Sequence, residues 1–153
     1  MEAITRLWLA ESLPIRDGLY RSDGSARDVR VDEMVSGGLA LLESFNLEAF
    51  LNSDPEETTS IMVTGERELP DRSGYLCCGE GSYGSEGFFA RLDQSRELMW
   101  VVYLENANPF VQINVAGTQA GFLSSSGVSV TVDLTGPDFG PSGPRDRSLP
   151  TES

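Results

Sequence analysis

The sequence contains no histidine and no lysine. The first absence removes Ser-His-Asp and Cys-His relays, histidine-ligated zinc and imidazole general bases. The second removes the lysine of a phosphate-binding loop. Cysteine is scarce: Cys77 and Cys78 are the only two, and they are adjacent. Neighbours on a strand point to opposite faces, so a disulfide between them is disfavoured. Two vicinal thiols also fall short of the four ligands of a structural zinc site. Lacking a nearby cation and lying beside Glu80, they are expected as buried structural residues, not nucleophiles. Long apolar runs are missing as well, since 98–104 is far below the roughly 20 residues that span a bilayer. The opening MEAITRLWLAESLP has an acid at position 2 and no basic region ahead of an apolar one. It is a poor secretory signal, so a reducing, cytoplasmic location is expected.

What is present in excess is negative charge. The chain has 153 residues, enough for one domain with a substantial core. Its 24 acids face 11 bases, all arginine, for a formal charge of -13. Exclusive use of arginine is the habit of a GC-rich coding genome. A surface this acidic repels nucleic acid and anionic lipid and accelerates encounter with basic proteins. Neither nucleic acid nor membrane is therefore an expected partner.

Turn residues divide the chain. Residues 4–10 form a short element, and Asp23-Gly24 between 18–21 and 26–31 predicts a tight hairpin. Leu39, Leu42, Phe45, Leu47, Phe50 and Leu51 recur at near-helical spacing and predict a helix over 33–51. Asp32 or Ser36 would cap it, and Asn46 is a candidate break. The segment 52–59, NSDPEETT, is a loop. Beyond it the period becomes two, predicting strands at 61–64, 74–78, 87–93, 97–105, 110–115, 119–123 and 128–134, with 65–73 a charged connection. These links are too short for crossover helices, so the sheet is expected to be antiparallel. Val128, Val130 and Val132 alternate with Ser129, Thr131 and Asp133, the pattern of a strand covered on one face. Residues 98–104 are apolar on both faces and must be covered twice, which makes Trp100 a core residue. The expectation is a single α+β domain over 1–135: an antiparallel meander of about six strands with helix packed on one face. Residues 136–153 hold four of the eight prolines and are expected to form a flexible tail.

The stretch CCGEGSYGSEGFF, residues 77–89, spells a GxGxxG at Gly79, Gly81 and Gly84. A dinucleotide site needs a helix to follow, so that its N-terminus faces the pyrophosphate. Here Gly87 to Leu92 predicts another strand, and Glu80 and Glu86 stand where phosphate would approach. No cofactor is implied. The expected structure is a wide hairpin loop whose glycines take positive φ, suited to presenting Tyr83 to a partner. Asn108-Pro109 before Phe110 predicts a shaped turn.

Carboxylates are the remaining catalytic inventory: Asp54, Glu56 and Glu57 in one loop, Glu66 and Glu68 in the next, and Glu105 after the Trp100 strand. A glycosidase needs two across a sugar-sized cleft, but among 24 acids such pairs arise by chance. The texture GYLCCGEGSYGSEGFF…LMWVVYLENANPF, within roughly 65–134, resembles that of small acidic cytosolic immunity proteins accompanying polymorphic toxins in high-GC bacteria. That resemblance implies a non-enzymatic neutraliser of a basic toxin and carries over no binding residues. From acidity and loop position, the expected partner contacts are Asp54, Glu56, Glu57, Glu80, Tyr83 and Glu86, and reversing Glu80 and Glu86 to Arg is expected to leave folding nearly unchanged. The alternatives are a structural or self-assembling scaffold module, using sheet edges or the tail, and a carboxylate-based hydrolase.

Overall fold

The computed structural model describes residues 1–141. Its elements are helix α1 (Ala3–Leu9), strands β1 (Ser12–Pro14), β2 (Gly18–Arg21) and β3 (Ala26–Val31), a 3-10 turn (Ser36–Gly38), β4 (Leu39–Phe45) and helix α2 (Leu47–Ser53). Then follow β5 (Thr58–Glu68), β6 (Gly74–Gly81), β7 (Gly87–Asp93), β8 (Leu98–Leu104), β9 (Phe110–Ala116), β10 (Gln119–Ser124) and β11 (Ser129–Asp133). The class is α+β and the pairing antiparallel. In place of one sheet of about six strands there are two. The larger has eight strands in the order β1-β5-β6-β7-β8-β2-β3-β4, the smaller three in the order β11-β10-β9. The larger is not one meander: the run β5 to β8 and the run β2 to β4 are joined side by side where β8 pairs with β2.

Each face of the large sheet has its own core. Phe89, Trp100, Val102 and Leu104 meet Phe110, Phe122, Val130 and Val132 of the small sheet in one buried cluster. Phe89 is its hub, stacked on Phe122 at 4.2 Å and edge-on to Phe110 at 5.1 Å. The opposite face gathers Tyr20, Cys77, Phe88, Val101 and Tyr103 with Ala3, Ile4 and Leu47 of the helices. Trp8 of α1 meets Phe88 edge-on with ring centroids 5.9 Å apart. Strand β8 feeds both clusters, as its two-sided apolar sequence requires, and each such side chain is worth about 2–3 kcal/mol on burial. Val130 and Val132 are buried while Ser129, Thr131 and Asp133 are exposed, matching the alternation in β11. Cys77 and Cys78, both buried and unbridged, fall in different clusters.

Three expectations are corrected. The helix predicted over 33–51 is interrupted by strand: β4 runs through its centre, and α-helix is confined to α2, with the Asn46 side chain accepting from the Ala49 N–H at 2.9 Å as its cap. The cause is a bulge. Pairing shifts from Arg27↔Ser44 to Val29↔Leu41, so two residues of β4 face Asp28. Leu39 and Leu41 therefore turn to one core and Phe45 to the other, and this change of phase imitates a helical period. The charged connection predicted over 65–73 is in its first half a continuation of β5, paired with β6 as far as Glu68↔Tyr75 after a second register shift near Gly65. Strand β1 pairs only with Thr58–Ser60, so this half of β5 is a sheet edge, where charge is the usual protection.

The third correction concerns residues 136–141, expected as the start of a tail. Phe139 is buried and packs edge-on against Trp100 at 5.0 Å. The Trp100 indole N–H donates to the Phe139 carbonyl at 2.9 Å, Arg91 donates to the same carbonyl at 3.1 Å, and Arg21 Nη2 donates to the Gly140 carbonyl at 2.8 Å. Proline and glycine deny this segment a sheet ladder, and side chains of β2, β7 and β8 take over as donors. The rest of the expected tail, residues 142–153, lies outside the described residues.

Two outcomes follow for stability. Phe139→Ala lowers the unfolding free energy by about 3 kcal/mol in urea titration; a change within about 0.5 kcal/mol would show that 136–141 is not part of the fold. Burial raises the thiols from an ordinary value of 9.0, Cys77 to about 12 and Cys78 to about 11. The folded state thus holds these protons more tightly than the unfolded chain. Their contribution is complete below pH 9 and is lost as pH rises towards 11 to 12, so urea midpoints measured from pH 8 upward fall on this limb.

Candidate functional site

Topology sends five connections to one end of the large sheet: 15–17, 32–38, 54–57, 82–86 and 105–109. They carry Asp17, Asp32, Glu33, Asp54, Glu56, Glu57, Glu86 and Glu105. The arginines of this end are already engaged. Arg16 makes a two-pronged bond to Asp28 (2.9 and 3.1 Å) and lies 3.7 Å over the Phe45 ring, and Arg30 pairs with Asp32 at 3.7 Å. This end is therefore the acidic pole of the molecule. Turns at the opposite end use their acids internally. Asp23, Asp71 and Asp93 each accept the N–H of a serine two residues on, at 2.8 to 2.9 Å. Those bonds, with the serine hydroxyls, hold the Asp23 and Asp71 carboxyls below the usual range.

The GxGxxG stretch lies at this pole, in an arrangement different from the one expected. Gly79 and Gly81 lie within β6, and Gly84 alone of the three has positive φ, +83°. A Cβ at Gly81 would come within 2.0 Å of Glu86 Oε1. The small residue makes room for a carboxylate. Glu86 is 1% exposed, which corrects its expected role as a surface contact. Its Oε1 accepts from the Thr59 hydroxyl at 3.0 Å and the Tyr83 N–H at 3.2 Å, and its Oε2 accepts from the Tyr103 hydroxyl. Thr59 and Ser82 are hydroxyl to hydroxyl at 2.9 Å, and the Ser82 N–H also donates to Thr59 at 3.3 Å. Burial, reinforced by the Glu86 carboxylate, raises the Tyr103 phenol above its ordinary range.

This network brings together two loops that the sequence places separately. Thr59 follows the acidic 54–57 turn, whose own closure is the Glu57 N–H bond to the Asp54 carbonyl at 3.0 Å. By bonding Ser82 and Glu86, Thr59 fixes that turn beside the 82–86 hairpin. Asp54, Glu56 and Glu57 are exposed, Tyr83 is 70% exposed, and Glu80 is half-buried one strand position inside the hairpin. The Asn108 N–H donates to the Ser85 carbonyl at 2.8 Å, bringing the 105–109 turn to the same surface. Asp17 Oδ1 accepts from the Glu105 N–H at 2.7 Å, and burial raises its pKa. Sequence reasoning missed Asp17, Thr59, Tyr103 and Glu105 as members of this pole. None of the four carries a local sign of it, because the convergence depends on pairing between distant segments.

Glu86 bonds inward, to Thr59, the Tyr83 backbone and Tyr103. Glu66 pairs with Arg96 on the edge of β5, bonded from Nη1 at 3.0 Å, well away from the loop acids. Among the described residues there is no group of three or more His, Cys, Asp or Glu arranged to hold a metal, and no helix is long and apolar enough to cross a membrane. No protein-family model, curated protein or solved structure matches this chain. Function is accordingly inferred from the chemistry of the site itself.

The network separates two acids of one hairpin. Glu86→Arg buries an unpaired cation and strands three donors, lowering stability by at least about 3 kcal/mol. Glu80→Arg changes it by no more than about 0.5 kcal/mol. Urea midpoints of the single variants distinguish them; equal effects would contradict the buried network.

Proposed function

We propose that this protein is a non-enzymatic binding module that neutralises a basic protein, in the manner of an immunity protein or antitoxin. One observation carries the reading: the exposed carboxylates of the 54–57 turn and the exposed ring of Tyr83 lie on two loops tied together by the Thr59, Ser82 and Glu86 bonds. An acidic surface that also offers an exposed aromatic suits a cationic partner on two counts. Charge speeds encounter, and the aromatic ring supplies contact area at little entropic cost. Two unbridged, buried thiols support a reducing, cytoplasmic setting.

The test is association kinetics with the stoichiometric partner recovered from the source cells. Asp54→Asn, Glu56→Gln and Glu57→Gln together slow association by about tenfold at low salt, with little effect at high salt. Tyr83→Ala chiefly accelerates dissociation. A purified chain that forms a salt-insensitive oligomer and binds no basic protein refutes the reading.

A further inference from the structure

A second feature, independent of the acidic pole, lies between the two sheets. Arg21, Trp100 and Arg91 are direct cross-strand neighbours on β2, β8 and β7 and so share the face that meets the small sheet. Arg91 is 6% exposed. Its Nη1 donates to the carbonyls of Leu134 at 2.8 Å and Phe139 at 3.1 Å, while its buried Nε has no acceptor. Among the described residues no carboxylate lies within ion-pair distance of it. Burial is the largest influence on its charge and disfavours it; Asp71 opposes that, and the neighbouring Arg21 adds a smaller repulsion. A guanidinium remains protonated under these conditions. A buried cation whose only acceptors are neutral carbonyls is incompletely compensated, and its geometry shows where the deficit lies.

Arg91 lines a cleft of about 150 Å³ between the 69–73 turn, the β9–β10 turn and the end of β11, with Ser73, Thr118 and Thr135 among the polar walls. With Nη1 committed, the side-on edge formed by the buried Nε and by Nη2 is the part of the fork without an acceptor among the described residues. That edge matches the two oxygens of a carboxylate. Asp71 belongs to the same wall, with its Oδ1 engaged by the Ser73 N–H at 2.9 Å and the Ser73 hydroxyl at 2.7 Å. Its charge penalises a dianion more than a monoanion, which sets the ligand's class.

We propose that this cleft binds a small monocarboxylate, seated on the side-on edge of Arg91 and bordered by the hydroxyls of Ser73, Thr118 and Thr135. The same chemistry is offered by a free short-chain acid and by the C-terminal carboxylate of a peptide.

The full chain tests this directly, with the Arg91 Nε–H resonance and the thermal midpoint followed in sodium acetate, N-acetylglycylglycine, sodium phosphate and sodium chloride at matched ionic strength. Acetate shifts the resonance saturably and raises the midpoint beyond chloride, while phosphate does so more weakly. A tighter response to the dipeptide than to acetate identifies a chain terminus as the source, and the reverse identifies a free acid. Asp71→Asn, relieving repulsion, tightens acetate several-fold. Thr118→Val loosens it several-fold. Arg91→Lys, which keeps the charge but lacks the fork, loses the acetate-specific stabilisation. If that variant does not fold, the two wall substitutions carry the test with opposite signs. A resonance that moves no further in acetate than in chloride, or an acetate affinity indifferent to both wall substitutions, overturns the site.

Discussion

From Trp100 to Leu104 strand β8 is buried on both faces, and the architecture follows from having to cover it twice. Its even-numbered residues from Trp100 onward are buried against the small sheet, while Val101 and Tyr103 lie on the side to which the helices contribute. A strand of this kind needs a neighbour on each edge as well, and β7 and β2 supply them. Joining two runs of strands at this point lets a chain of modest length build an eight-stranded sheet. The folded-over second sheet is then the most economical cover for a face crowded with aromatic rings, because sheet can meet sheet over the whole length of the strands.

The second organising element is the placement of charge. An acidic chain repels itself, and folding must distribute that repulsion. Here it is divided by use. At one end of the strands, aspartates close their own turns through the following serines, so their charge is spent on local hydrogen bonds. At the other end the carboxylates of 54–57 have no such task. Between them Glu86 is drawn inside and held by two hydroxyls and a backbone amide, a neutral cage that replaces water as its solvent. A carboxylate thus serves as turn, surface or buried latch according to the space available.

Much of this was legible in the sequence because it follows local rules. The Asp23-Gly24 hairpin, the alternation of Val130 and Val132, the two-sided apolar run around Trp100 and the divergence of Cys77 from Cys78 need only knowledge of strand geometry. What was not legible depends on a partner strand. A bulge shows itself only as a failure of alternation, and at Leu41–Phe45 that failure has the spacing of a helix. The charged half of β5 looks like a loop until its edge position explains the charge. Residues 136–141 lack every sequence mark of order, since their carbonyls are satisfied by arginines and an indole remote in the chain. Glu86 was assigned to the surface because a carboxylate in a glycine-rich hairpin usually lies there; the sign of burial was the glycine at 81, whose missing side chain leaves the necessary space. Of the acidic pole, the residue types were evident and their convergence was not, because it rests on Thr59 linking two loops.

The divergence of the two cysteines has a consequence for how the molecule comes apart. One peptide bond separates them, yet each lies in a different interior with its thiol held protonated by burial. A reagent in solvent reaches Cys78 only when the two sheets part, and Cys77 only when the opposite interior opens. The dipeptide is therefore a built-in recorder of direction: the sulfur that reacts first names the side from which the structure loosens.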